Sequence, residues 1–289
     1  MKEIEINTLL LSGGGTKVTA SVAALEKAYN SPFFFFNLEH ICGISAGAFF
    51  GLCLVINYSF DEIKAELLNV NLKRLINIQF SNFLNDWGIE SGKILVKWIE
   101  SLLIKKGISP RITFKELFNL FPVRYTVIAY NINKIDYEFF NHLKSPELSV
   151  IDAIRYSINI PMFFTKQLYN GDLIVDAGVI NNFPCELFSQ DLENVCKKND
   201  LENLLGIQIL KHEDYLKDKQ IKSLQDYLYR IIEIIQLKLD VKDVEHKYII
   251  NIENLNLSSV NFDISDKIIY DLLEYGERCY EEFEKNLIL

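Results

Sequence analysis

Ser45 lies in Gly43-Ile44-Ser45-Ala46-Gly47, a G-x-S-x-G spacing that suits a serine nucleophile on a tight strand-to-helix turn. Glycines two positions to either side leave room for the strained backbone that exposes the Oγ. A hydroxyl nucleophile needs a base, and the chain has four histidines. His40 sits on the strand before the turn, His142 in a loop, and His212 and His246 in polar stretches that read as solvated surface. The order Ser45, Asp176, then His212 or His246 matches α/β-hydrolases. That fold, however, places several strands before its elbow, and here one strand and one helix precede Leu38. No histidine makes a convincing base.

The stretch "YNGDLIVDAGVINNFP" offers a carboxylate instead. Asn170-Gly171 is a tight-turn signal that delivers the apolar run Leu173 to Val175 into Asp176, followed by small Ala177 and Gly178. A carboxylate at the end of such a strand can accept a proton directly. Its solution pKa near 4 is low for a base at neutral pH, and burial and positioning compensate. A third piece, "SGGGTK", exposes the backbone N–H groups of Gly13, Gly14, Gly15 and Thr16 ahead of a helix. It is neither a Walker A loop nor a dinucleotide fingerprint, since Val18 stands where the last glycine of G-x-G-x-x-G would fall. Such donors suit an oxyanion, where one is typically worth about 3 kcal/mol.

The elements that must position these groups are legible. Ile4 to Leu11 reads as a strand, and Val18, Val22, Leu25 and Tyr29 mark one face of a helix. Leu38 to Cys42 is a second strand, and Ala46-Gly47-Ala48 opens a helix that can sit close to the sheet. This is a parallel α/β unit, so both glycine turns emerge at the carboxyl edge, where such sheets bind ligands. Residues 58–106 read as an amphipathic helical insertion without strand-like alternation. Tyr125 to Tyr130 and Ile135 to Phe140 read as a hairpin. Ser149 to Asp152 forms a capping-box sequence that starts a helix stopped by Pro161, and Phe163 to Leu168 is expected to pair with Leu173 to Val175. A strand over Leu204 to Leu210 and helices over Ile221 to Val241 and Ser265 to Asn286 complete the chain. Residues 1–289 are expected to form one domain.

The net charge of −9 argues against nucleic acid, because phosphate binding needs clustered Lys and Arg. Five scattered cysteines, an odd number without CxxC spacing, suggest neither a disulfide framework nor a metal site and fit a reducing compartment. The acidic, short apolar start does not resemble a signal peptide, and no run approaches the roughly 20 apolar residues of a membrane span. The expectation is a soluble, cytoplasmic protein needing no cofactor.

Taken together, Gly13-Gly14-Gly15-Thr16-Lys17-Val18, Gly43-Ile44-Ser45-Ala46-Gly47 and Asp176-Ala177-Gly178 resemble the glycine loop, serine elbow and D-G-[GA] motif of the patatin-like phospholipases. "TFKELFNL", "SVIDAIRYSINIPMFF", "VDAGVINNFP" and "LLEYGERCYEEF" follow in family order, so the likeness runs nearly end to end. Val18 and Ala177 depart from the family's glycines, without removing a chemical group.

The resemblance implies a three-layer α/β/α fold with a mostly parallel central sheet and a helical cap segment. It also implies a lipid acyl hydrolase using a Ser45–Asp176 dyad through an acyl-enzyme, with Gly13 to Thr16 as oxyanion hole. Gly43, Gly47, Lys17, Ala177, Gly178 and Asn182 would support the site, Asn182 by holding the loop after Asp176. The implied partners are a phospholipid or other fatty-acyl ester, a transient membrane contact and an activating protein. The alternatives are a catalytically silent lipid- or partner-binding protein, which Val18 and Ala177 keep open, and an acyltransferase. Phe80, Phe83, Leu84 and Trp87 are candidates for lining an acyl pocket, against ordinary core packing. Phe33 to Phe36, read as a helix-to-strand connection at the opposite edge, is expected to pack against the helix layer.

Overall fold

The β-branched and leucine-rich start of the chain forms β1 (Ile4–Leu11), and a 3-10 turn at Gly15–Lys17 leads into α1 (Val18–Tyr29). The computed structural model describes residues 3–189, 195, 201–210, 220–222, 224–239, 246–253, 257–258 and 261–288. β2 (Phe34–Ile44) runs into α2 (Ala46–Val55). α3 (Phe60–Asn69) is started by a capping box in which Ser59 and Glu62 exchange backbone bonds. The short α4 (Asn82–Asp86), β3 (Gly88–Glu90) and α5 (Lys93–Lys105) follow. A second box, Thr113 with Glu116, starts α6 (Phe114–Leu120).

Then come β4 (Arg124–Asn131), β5 (Asp136–Phe140), α7 (Val150–Ser157), β6 (Met162–Phe164), β7 (Gln167–Tyr169) and β8 (Asp172–Asp176). β9 (Leu204–Ile209), a helix over Leu224–Leu239, β10 (Ile249–Ile252) and a C-terminal helix over Asp266–Ile288 complete the described elements.

The fold is mixed α/β with a mostly parallel eight-stranded sheet. β10, β9, β1, β2 and β4 lie side by side in parallel, and β5, β8 and β7 join in antiparallel fashion. Alternation along the strands separates two faces. Leu9, Leu11, Ile41, Val127 and Ala129 face a large core shared with α1, α2 and the cap helices. Leu10, Cys42, Ile44 and Ile128 face a smaller one closed by Phe183, Cys185 and Phe188.

The register around β4 fixes what meets at the carboxyl edge. Ile128 pairs with Ile44 of β2 and with Phe139 of β5, while Ala129 pairs with Glu138 of β5 and with Asp176 of β8. A strand has two edges, so β5 occupies one of them, and β2 and β8 share the other, end to end. β2 stops opposite Ile128, and β8, running the opposite way, stops opposite the next residue. The chain therefore leaves Ile44 for Ser45 at the point where β8 delivers Asp176.

Several sequence expectations are corrected. Phe163 to Leu168 is not one strand: Met162–Phe164 pairs in parallel with Gly88–Glu90 in a separate two-stranded sheet, and only Gln167–Tyr169 joins β8. The 58–106 insertion therefore contains a strand, too short to show alternation. Phe34 to Phe36 belong to β2 rather than to a connection, with Phe34 buried and Phe35 exposed. Ser149 precedes α7 but forms no side-chain cap bond. β10 was not anticipated. The helix expected over Ile221 to Val241 is described over Leu224–Leu239, and His212 and Cys196 lie outside the described residues.

Candidate active site

Ser45 occupies a positive-φ backbone conformation (φ 53, ψ −123), which costs an L-residue energy and persists only where its surroundings enforce it. Two glycines and a serine enforce it. A Cβ on Gly43 would lie 2.5 Å from the backbone N of Ala48, and one on Gly47 would strike the carbonyls of Leu11 and Ser12, so α2 can start here only without those side chains. The Ser45 N–H donates to the buried Ser157 Oγ (2.8 Å), whose hydroxyl donates to the Ile128 carbonyl (2.6 Å).

Asp176 is 2% exposed at the end of β8. Its N–H donates to the Asn159 carbonyl (2.9 Å), and its Oδ1 accepts from Gly178 N–H (2.8 Å). Asn159 is itself fixed, donating Nδ2 to the Ile174 carbonyl (2.6 Å) and accepting from Arg155 Nη1 at Oδ1 (3.2 Å). Arg155 also donates to the carbonyls of Ser91 (3.1 Å) and Thr165 (3.2 Å). Burial pulls its guanidinium down to about 10, with the Glu90 carboxylate opposing. Glu90, fully buried, accepts N–H bonds from Gly92 (2.9 Å) and Asn77. A continuous polar chain thus runs from the cap segment to the backbone of Asp176.

The glycine loop closes on both groups. A Cβ on Gly13 would lie 2.9 Å from Ser45 Cβ and 2.7 Å from Asn182 Oδ1, and one on Gly178 would lie 3.0 Å from Asp176 Oδ1 and 2.8 Å from the same Asn182 oxygen. Gly13, Ser45, Asp176 and Gly178 are therefore gathered around one amide. Asn182 Nδ2 donates to the Gly13 carbonyl (2.8 Å), so it ties the glycine loop to the segment after Asp176. Gly15 takes a positive φ of 57, and the Thr16 hydroxyl donates to the Asn261 carbonyl (3.2 Å). Lys17 is buried within the 3-10 turn. Ala177 turns its methyl into the smaller core.

A pocket of about 80 Å³ opens beside Ser45, with Gly15, Thr16 and Val18 at one side and Phe49, Leu72, Leu95, Trp98, Ile160 and Phe164 among its apolar walls. The cap contributes to it through α5 and the segment around Leu72. Phe80, Phe83, Leu84 and Trp87 do not line it, and Phe80, Leu84 and Trp87 are exposed.

The three described histidines lie toward the other end of the sheet. His40 pairs in register with Arg124 and bonds Thr126 and Cys42; Thr8 pairs with both His40 and Leu204, and His246 bonds the Leu204 carbonyl. Four strand residues, roughly 13 Å, separate that level from Ile44. His142, beyond Phe140 at the same end, stacks on Phe118. Burial, then Arg124 and His40, hold its pKa below the usual value. The unfolded chain therefore takes up this proton at higher pH than the folded one. The stabilisation is complete above the unfolded value near 6.5 and drains as pH falls through the folded value. His142→Gln is expected to flatten the fall in Tm between about pH 7 and pH 5, measured by thermal melts.

Over residues 9–189, well over half its length, the chain matches the family model described as patatin-like phospholipase. The chain belongs to the patatin-like phospholipase family. It is 26% identical over 295 residues to the uncharacterized protein R571 of Acanthamoeba polyphaga mimivirus, covering 98% of this chain and 95% of that one. It is 30% identical over 186 residues to the probable lipid hydrolase 463L of Invertebrate iridescent virus 6, covering 62% of each. Among solved structures, VipD from Legionella pneumophila superposes with a TM-score of 0.63 at 15% identity, covering 97% of this chain and 67% of VipD, which shows the patatin-like fold. The motifs that carry the resemblance, Gly13 to Val18, Gly43 to Gly47 and Asp176 to Gly178, all lie within the matched span. Among the described residues, no helix is long and apolar enough to cross a membrane.

Sequence reasoning missed Ser157, Asn159 and Arg155. The signal was present: "VIDAIRYSINIP" sets an arginine, a serine and an asparagine among apolar residues, and polar groups buried in such company must find partners.

Proposed function

We propose that the chain is a lipid acyl hydrolase of the phospholipase A or lysophospholipase kind, with Ser45 as nucleophile and Asp176 as base. The observation that carries it is the convergence of the glycine loop, Ser45 and Asp176 on Asn182 at the edge shared by β2 and β8, beside an apolar pocket. In the first half-reaction the Ser45 Oγ bonds to the ester carbonyl carbon, and its proton passes to the Asp176 carboxylate. The N–H groups of Gly13 to Thr16 hold the oxyanion. Collapse breaks the ester C–O bond, and the leaving alcohol takes the proton from Asp176. Water then adds to the acyl-enzyme, giving its proton to Asp176, and the fatty acid departs as Ser45 is reprotonated.

Treating the protein with a fluorophosphonate probe and assaying fatty-acid release from phospholipid tests this. Wild type is expected to label and turn over, and Ser45→Ala to do neither. No labelling and no release by wild type across lipids would favour a silent lipid-binding protein. The pocket also predicts chain-length selection. Phe49 and Trp98, with ring centroids 5.0 Å apart, are bulky neighbours in its wall. Trp98→Ala is expected to raise kcat/KM for long-chain relative to short-chain p-nitrophenyl esters by about tenfold, since each added buried methylene contributes about 0.8 kcal/mol.

A further inference from the structure

The aromatic residues of the cap that do not reach the pocket form a second feature. Between Gln79 and Ile89, whose N–H and carbonyl bond at 2.7 Å, the chain makes a closed excursion. Its short helix α4 buries no residue. Phe80 is 51%, Leu84 85% and Trp87 53% exposed, three large apolar side chains within eight residues. Isolated exposed apolar residues are ordinary, but a cluster on one projecting turn marks an interaction surface. Trp87 stands in the left-handed region (φ 60), with Lys166 Nζ 4.4 Å from its ring centroid and bonded to the Asn85 carbonyl (2.9 Å). A ring with an ammonium group against it is both apolar and wet, as interfacial aromatics are.

The surrounding charge identifies the partner. The chain as a whole carries −9, yet from Val70 to Trp98 the exposed charges are Lys73, Arg74, Lys93 and Lys97 against Asp86 alone. Lys73 is shared with Asp263 through an exposed pair. The basic residues stand where the chain enters and leaves the projection, and α5 adds the exposed Ile94 between two of them. The same elements line the pocket on their inner side, through Leu72 on one flank and Leu95 and Trp98 on the other. An apolar tip flanked along the chain by cations, with Lys166 against its tryptophan, complements on an acidic protein a surface of anionic headgroups over acyl chains.

We propose that the 80–88 projection, with Lys73, Arg74, Lys93, Lys97 and Lys166 around it, docks the protein on anionic lipid surfaces. This rests on the lipid acyl hydrolase reading for its purpose and not for its observations. Docking would place on the bilayer the same segment whose flanking elements line the pocket.

Vesicle flotation tests it with the full chain. The probes are phosphatidylcholine vesicles with and without about 30% phosphatidylserine. The full chain is expected to float with the anionic vesicles, weakly with neutral ones, and less as salt rises from about 0.05 to 0.5 M. Leu84→Asp with Trp87→Ser is expected to lower the partition coefficient tenfold or more. Lys93→Gln with Lys97→Gln is expected to lower it about tenfold on anionic vesicles only. Both variants should hydrolyse a water-soluble short-chain ester at the wild-type rate, which also reports folding. Wild type that does not bind anionic vesicles, or Leu84→Asp with Trp87→Ser binding like wild type, would overturn the docking surface. So would a self-associating wild type whose dimer, rather than lipid binding, is lost in that variant. Vesicle binding without ester hydrolysis would instead overturn the enzymatic reading and leave the docking surface standing.

Discussion

Asp176→Asn is expected to lower kcat for ester hydrolysis by about 10³-fold while leaving KM within about twofold, because a positioned base acts in the transition state and general base catalysis is typically worth 10² to 10⁴. The substitution keeps size and an Oδ1 that can accept from Gly178 N–H, and so keeps the loop that holds Asn182 against Gly13. Fluorophosphonate labelling should slow in parallel, since the same proton must leave Ser45. His142→Gln and His246→Gln should change kcat by less than about twofold, because both residues lie at the far end of the sheet, roughly four strand residues from the elbow. Full activity in Asp176→Asn together with loss in either histidine variant would return the site to a triad.

How much of the candidate site could be read from the chain follows from the kind of constraint each part obeys. Gly43, Gly47 and the Asn170-Gly171 turn are dictated by backbone sterics within a few residues, and the structure shows the cause directly in the closeness of Ala48, Leu11 and Ser12 to the two glycines of the elbow. The parallel core was legible because β1, α1, β2 and α2 follow one another with clear periodicity. What was hidden depends on distant partners. A three-residue strand has no period, so the pairing of Gly88–Glu90 with Met162–Phe164 could not be seen. Phe80, Leu84 and Trp87 have helical spacing in a cap read as amphipathic, and spacing alone does not say whether an apolar residue faces a pocket or the solvent. The end-to-end meeting of β2 and β8 on one edge of β4 is likewise a property of register across 130 residues, which local pattern does not encode.

The polar chain from the cap to Asp176 makes a prediction that separates stability from catalysis. Arg155→Met removes the donor to Asn159 and to the carbonyls of Ser91 and Thr165, and it leaves the Glu90 carboxylate buried without the cation. Breaking such a buried arrangement from one side costs about 3–5 kcal/mol, so Tm should fall by about 10 °C. Adding Glu90→Gln removes the stranded charge while keeping a side-chain oxygen that can accept from the Gly92 or Asn77 N–H, and should recover part of the lost Tm. Stability and rate should then part. In the double variant Asn159 still lacks the guanidinium that fixes its side chain, and its carbonyl is what holds the Asp176 N–H. kcat should therefore stay depressed by about tenfold with KM little changed, as loss of about 1.4 kcal/mol of transition-state positioning would give. A double variant that recovered both Tm and kcat would assign Arg155 to the stability of the cap alone. One that recovered Tm and not kcat would make Arg155 a positioning residue for the base, and would mean that the cap segment carrying Glu90 and Ser91 helps to set the geometry of the site beneath it.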